Sequence, residues 1–178
     1  MVAASLRPDC EQCAALCCVA FEFEKSADFG EDKPAGTPCS NLGSGGRCGI
    51  YGQRRHYGFG GCIQYDCLGA GQRVVQQTFA GRTWMEEPAL LAPMLRAFEH
   101  MRQVQEGLSL LATAEKADLL AGDRQELQRL VSELEAIADA VLQPSASMRL
   151  NEVDGEIRAF LTGLRRYFKD LALATGRL

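Results

Sequence analysis

From about Glu86 to the end, apolar residues recur at helical spacing. Leu91, Met94, Leu95, Phe98, Met101, Leu108 and Leu111 fall on one stripe and predict a first amphipathic helix. Leu127, Leu130, Val131, Leu134, Ile137 and Val141 predict a second. Asp123 is placed to cap it, Glu126 completes a capping-box pattern, and Pro144 stops it. A third stripe runs from about Ser147 to Thr175 through Leu150, Val153, Ile157, Phe160, Leu161, Leu164, Phe168 and Leu171, with Gly176 as its stop. Helices with one apolar face each must bury it, so residues 85–178 are expected to form an antiparallel three-helix bundle. Residues 1–84 show no such period. They carry most of the glycine and short, interrupted apolar runs, which predicts a small irregular head. The expected fold is therefore mainly α, with Trp84 as the plug where head meets bundle.

What fills the head instead of aliphatic residues is cysteine. All eight cysteines lie there: Cys10, Cys13, Cys17, Cys18, Cys39, Cys48, Cys62 and Cys67. Asp9 is a plausible N-cap for a helix over 10–24, on which Cys10, Cys13 and Cys17 share a face while Cys18 sits about 100° away. Residues 25–38 read as an acidic, solvated loop with Asp28, Glu31 and Asp32. Cys39 and Cys48 flank a glycine-rich turn at 43–46 and predict two short strands with a cysteine on each arm. A basic, glycine-rich stretch with Arg54, Arg55 and His56 leads to Cys62 and Cys67. Gly69-Ala-Gly71-Gln72 reads as a turn or helix start; it lacks the strand and third glycine of a dinucleotide fingerprint.

Charge and targeting narrow the classes. A net charge of −4 argues against general nucleic-acid binding. No run of 18 apolar residues predicts a membrane span. The first nine residues lack a basic region followed by an apolar core, so a cytoplasmic chain is expected, where disulfides are disfavoured. Clustered cysteines then read as metal ligands, because a C-x2-C step sets two thiolates on one tetrahedral ion at about 2.3 Å. The metal expected is Zn2+ or an iron–sulfur cluster held by the eight cysteines, with Cys18 and Cys67 the less regular members. His56 and His100 read as surface histidines, and Arg47, Arg54 and Arg55 as counter-charges to a thiolate cluster. No Ser/His/Asp or Cys/His constellation stands out. Three functions stay open: a metal-binding protein whose helices serve dimerisation or a protein or peptide partner, a metalloenzyme modifying a protein or peptide, and a store or carrier of Cu(I).

The head resembles the zinc- or iron-chelating cysteine-cluster family, the CxxCxxCC or YkgJ-like proteins. The residues that carry the resemblance are Cys10, Cys13, Cys17 and Cys18, then Lys33-Pro-Ala-Gly36 with Cys39 and Leu42, then Cys48-Gly-Ile-Tyr51 and Cys62. Tyr65-Asp-Cys67 and Gly69-Ala-Gly-Gln72 bring it closest to the heads of actinobacterial pentapeptide-repeat proteins, over about residues 7–84. The resemblance implies metal chelation, and its flagellin-lysine methylase relatives imply that iron–sulfur chemistry is within its range. The chain departs from the pattern at three places. Three residues separate Cys13 from Cys17, an Arg-Pro before Cys62 is missing, and the helical region stands where the pentapeptide repeats would be.

Overall fold

The computed structural model describes residues 6–167. They are mainly helical. The longer helices are the last three of six: α1 (Leu16–Ala20), α2 (Gly61–Gln64), α3 (Ala70–Arg73), α4 (Leu91–Ala114), α5 (Ala121–Asp139) and α6 (Ala146–Gly163). Among the described residues there is no strand, only two isolated antiparallel bridges, Phe23 with Lys33 and Leu42 with Cys48. The strand pair expected around 43–46 is thus a single bridge closing a turn, with the Gly43 N–H on the Arg47 carbonyl at 2.9 Å. No helix among the described residues is long and apolar enough to cross a membrane. The described residues fall into two compact units, one up to Arg102 and one from Gln103.

In the second unit, α5 buries Leu127, Leu130, Leu134 and Ile137, and α6 buries Ala146, Leu150, Val153 and Ile157. Both sets step by three and four residues, as one face of a helix requires. The second half of α4 joins them at Gly107, where a Cβ would come within 2.9 Å of Leu134 Cδ1 and 3.2 Å of Ile157 Cδ1. Only a residue without a side chain lets the three helices approach this closely. Around the rim, Arg129 bridges Glu126 and Glu156, and Arg149 meets Glu133 at 3.2 Å. Such half-exposed pairs contribute about 0–1 kcal/mol each, so the apolar seam carries the stability. Leu130 is fully buried, and Leu130→Ala is expected to cost about 2–5 kcal/mol, read as a lowered urea midpoint at unchanged slope.

The expected helix ends differ from those observed. Helix α5 begins at Ala121 behind an extended Leu120, and Asp123 is not its cap. The Asp123 carboxylate instead accepts from Arg166 and Tyr167, and the Tyr167 hydroxyl also accepts the Leu120 N–H at 2.9 Å. Those partners hold the Asp123 carboxyl below its usual range. Glu126 is drawn to Arg129 rather than back to a cap. Helix α5 ends at Asp139, ahead of Pro144. Phe168, Leu171, Thr175 and Gly176, expected to finish the third helix, lie outside the described residues.

The first unit is not core-poor, because it takes in the front of α4. Met94, Ala97, Phe98 and Met101 are buried together with Leu16, Val19, Ala70, Val74 and Val75. The Phe21 ring lies 6.1 Å from Phe98 and 5.0 Å edge-on from Tyr65. A second aromatic group pins the long loop: Phe23 stacks on Phe29 at 4.3 Å and meets Phe59 edge-on at 6.1 Å.

Candidate metal centre

Asp9 caps a short 3-10 turn, Cys10–Gln12, its carboxylate accepting from the Glu11 N–H at 3.0 Å. The helix expected over 10–24 then breaks. Ala14 and Ala15 adopt left-handed backbone, with φ of 48° and 54°, before α1 starts at Leu16. Each such alanine costs about 1–2 kcal/mol, which neighbours must over-determine. Here the Trp84 indole N–H donates to the Ala14 carbonyl at 2.8 Å, and the Cys18 N–H to the Ala15 carbonyl at 2.9 Å. Trp84 is therefore a clasp on the cysteine turn inside the first unit. The extra residue between Cys13 and Cys17 is absorbed by this reversal, so Cys10, Cys13 and Cys17 do not lie along one helical face.

Helix α3 brings Cys67 to the same turn. Gly71 sits so close to Cys13 that a Cβ there would stand 2.9 Å from both its Cβ and its Sγ. Gln72 Nε2 donates to the Arg7 carbonyl at 3.0 Å, its Oε1 accepts the Asp9 N–H, and Gln76 Nε2 donates to the Gln12 carbonyl at 3.2 Å. These side chains tie α3 and the π turn after it (Val74–Thr78) to the lead segment. Cys67 lies three residues ahead of α3, its carbonyl accepting the Ala70 N–H at 2.9 Å.

A different set of bonds gathers the remaining cysteines. The Cys39 N–H donates to the Cys18 carbonyl at 3.0 Å, and the Leu42 N–H to the Cys39 carbonyl at 2.9 Å. Leu42 then bridges to Cys48. Arg54 donates through Nη1 to the Cys62 carbonyl at 2.9 Å and through Nε to the Tyr51 carbonyl at 2.8 Å, lying over the Tyr51 ring.

Lys33 is the residue that periodicity did not flag. It is only 4% exposed, and its ammonium donates to three carbonyls: Val19 at 3.2 Å, Pro34 at 3.1 Å and Thr37 at 2.9 Å. All three ammonium protons are engaged, so the charge is fixed in place. Burial pulls its pKa down, while Cys39, Cys18, Cys17 and Cys62 push it back up. The one hint in the sequence was its place in the Lys33-Pro-Ala-Gly36 stretch.

All eight cysteines are free thiols. Burial pushes Cys13 and Cys62 up to about 11, and raises Cys10 and Cys48. Cys17 is raised well above the ordinary thiol value by its hydrogen bond to Cys18 and by burial. Cys18 goes the other way, to about 7, because that hydrogen bond favours its thiolate and Lys33 and Arg54 add positive charge. Among the described residues, no three or more His, Cys, Asp or Glu side chains form a group that could hold a metal ion. The thiols neighbour one another at electrostatic range. As a donor set they match ions that prefer sulfur, and binding such an ion removes the thiol proton, the state that Lys33 and Arg54 favour.

The other expected residues stand apart. Arg47 pairs with Glu11 at 3.1 Å on the open surface instead of with a thiolate. His56 is exposed against the edge of Tyr57. His100 is half-buried on α4. Glu31 turns from the acidic loop toward Ser40, at 2.6 Å, and its carboxylate stands 3.9 Å from Cys39 Sγ.

No protein-family model and no solved structure matches the chain. A bacterial relative does. The chain is 36% identical over 156 residues to the uncharacterized protein YybG of Bacillus subtilis (strain 168). The match covers 88% of this chain and 56% of YybG, so the chain spans little more than half of that relative's length.

Proposed function

We propose that this is a cytoplasmic cysteine-rich metal-binding protein of the CxxCxxCC type, holding zinc or an iron–sulfur cluster through clustered thiolates. On this reading the cysteine region is a metal-bearing head, and the helices from Gln103 pack as a bundle that serves dimerisation or a protein or peptide partner. The observation that carries it is convergence. Three stretches far apart in sequence, 10–18, 39–48 and 62–67, carry eight free thiols; the Cys39 N–H meets the Cys18 carbonyl, Leu42 bridges to Cys48 and Arg54 holds the Cys62 carbonyl, beside a buried ammonium held by three carbonyls. A buried cation costs several kcal/mol to desolvate and finds its compensation in nearby negative charge. Metal-bound thiolates supply that charge permanently, whereas neutral thiols do not.

Elemental analysis and an absorption spectrum of untagged protein purified without oxygen test this. Zinc in a colourless protein, or iron with sulfide in a brown one, is expected at one or more centres per chain. Copper binding well above two equivalents would replace the reading with Cu(I) storage. Metal-free protein with eight titratable thiols and an intact fold would end it.

A further inference from the structure

We infer that the turn over 51–57, with Ile63 beside it, is a docking surface for an acidic segment of a partner protein. Tyr51 and Tyr57 take its apolar side chains and Arg55 takes one of its carboxylates. The inference goes beyond the metal-binding reading and does not depend on it, because none of these side chains is a thiol.

Charge marks the place first. From Lys33 to Tyr65 the chain has no Asp or Glu, while Lys33, Arg47, Arg54 and Arg55 all fall there, in a chain of net charge −4. Three of these four cations are committed. Lys33 is buried on three carbonyls, Arg47 meets Glu11 at 3.1 Å, and Arg54 donates to the Tyr51 and Cys62 carbonyls. Arg55 is exposed and has no ion-pair partner among the described residues. The Arg47–Glu11 pair shows the kind of group this stretch takes: a carboxylate brought in from a distant part of the chain.

The apolar half of the surface stands on the same turn. Tyr51 is 55% exposed, Tyr57 52% and Ile63 41%. Tyrosine and arginine facing solvent together are what protein interfaces use as anchors. The turn is also held from beneath, so docking costs little ordering. The Gln53 N–H donates to the Ile50 carbonyl at 2.8 Å, the Tyr57 N–H to the Gln53 carbonyl at 3.1 Å and the Phe59 N–H to the Arg54 carbonyl at 2.8 Å. Phe59 is buried, edge-on to Phe23. Gly30 packs so near that a Cβ there would stand 2.8 Å from the Tyr57 carbonyl oxygen. Arg54 lies 3.9 Å over the Tyr51 ring and joins it to the carbonyl just before Ile63, while His56 meets Tyr57 edge-on at 5.2 Å. With one uncommitted guanidinium and no exposed lysine between 33 and 65, the turn matches a phosphate backbone poorly, because that takes several cations at once. A protein segment with a carboxylate among apolar side chains matches it in both charge and apolar area.

The test selects peptides on the native chain. A random peptide library displayed on phage is panned against the full-length protein as purified. The selected peptides are then synthesised with a fluorescent label and titrated by anisotropy. Enriched peptides are expected to carry Asp or Glu beside Leu, Ile or Phe, and to bind more weakly as salt rises. Arg55→Glu and Tyr57→Ala are each expected to weaken them roughly tenfold or more. Both side chains face solvent, so circular dichroism should show the variants folded as the parent is. Lys116→Glu, an equal charge change at an exposed residue of the second unit, should leave binding unchanged. No enrichment, or enriched peptides without acidic residues, overturns the inference, and so does binding that Arg55→Glu and Tyr57→Ala leave intact. Oligodeoxythymidine bound more tightly than any selected peptide, and lost in Arg55→Glu, would overturn it in favour of single-stranded nucleic acid. Metal content is measured beside each titration, so that failure of the docking surface and failure of the metal-binding reading are read separately.

Discussion

On the proposed metal-binding reading, stripping the metal from the native chain is expected to dissolve the cysteine region while leaving α5 and α6 helical. The loops between Phe23 and Cys67 contain two isolated bridges and short single turns, and few of their residues are buried. A structural zinc site contributes about 10–16 kcal/mol to folding, as much as or more than the roughly 5–15 kcal/mol by which a whole domain is usually stable. Losing it therefore removes more than these loops have in reserve. Helices α5 and α6 draw on a different source, the seam of Leu127, Leu130, Leu134, Leu150, Val153 and Ile157. Hydrogen exchange read by mass spectrometry separates the two. Peptides spanning 23–67 should lose protection on chelation, and peptides from 121–157 should keep theirs. Equal protection of 23–67 with and without metal would show that the thiols are not what holds those loops.

The second large effect is expected from Lys33→Met. Methionine keeps most of the volume and removes the charge. In the metal-free protein two changes oppose each other. The buried ammonium no longer has to be desolvated, but three carbonyls lose their donor, at about 1–3 kcal/mol for one left unsatisfied in the interior. In the loaded protein a third change is added, because the thiolates around Cys18 and Cys39 lose their fixed counter-charge. Removing a residue that supports a metal's ligands typically weakens retention roughly tenfold to a hundredfold. Competition against a coloured chelator should show that loss in Lys33→Met and a smaller one in Lys33→Arg, which keeps the charge. If Lys33→Met destabilises metal-free and loaded protein equally, Lys33 is a packing and hydrogen-bonding residue alone.

Much of the helical region was legible because period carries it. Leu127, Leu130, Leu134 and Ile137 are buried as their spacing requires, and so are Leu150, Val153, Ile157 and Leu164. Val131, Phe160 and Leu161, on the margins of those stripes, are only half-buried. Period says that a helix has an inner face; it does not say what that face meets. Met94, Phe98 and Met101 read correctly as one stripe, yet they complete the core under the cysteine turn. Caps were less legible, because Asp123 had a competing offer from Arg166 and Tyr167, more than 40 positions away. The cysteine turn itself was the least legible part. Left-handed backbone is normally announced by glycine or asparagine, and here two alanines adopt it, held by a tryptophan 70 residues later. Lys33 was hidden for a similar reason: lysine is read as surface unless its three carbonyl partners are already in view.

The first turn of the chain grades from open to closed within four residues. Cys10 is exposed, while Cys13 is only 5% exposed beneath Gly71. An ion held by both would have ligands of unequal lifetime. Cys10 would be the thiolate that a competing acceptor reaches first, and Cys13 the last to let go. Exchange of the ion would then have a direction, beginning at the outer sulfur and moving inward, with a transient in which donor and acceptor thiolates share the metal.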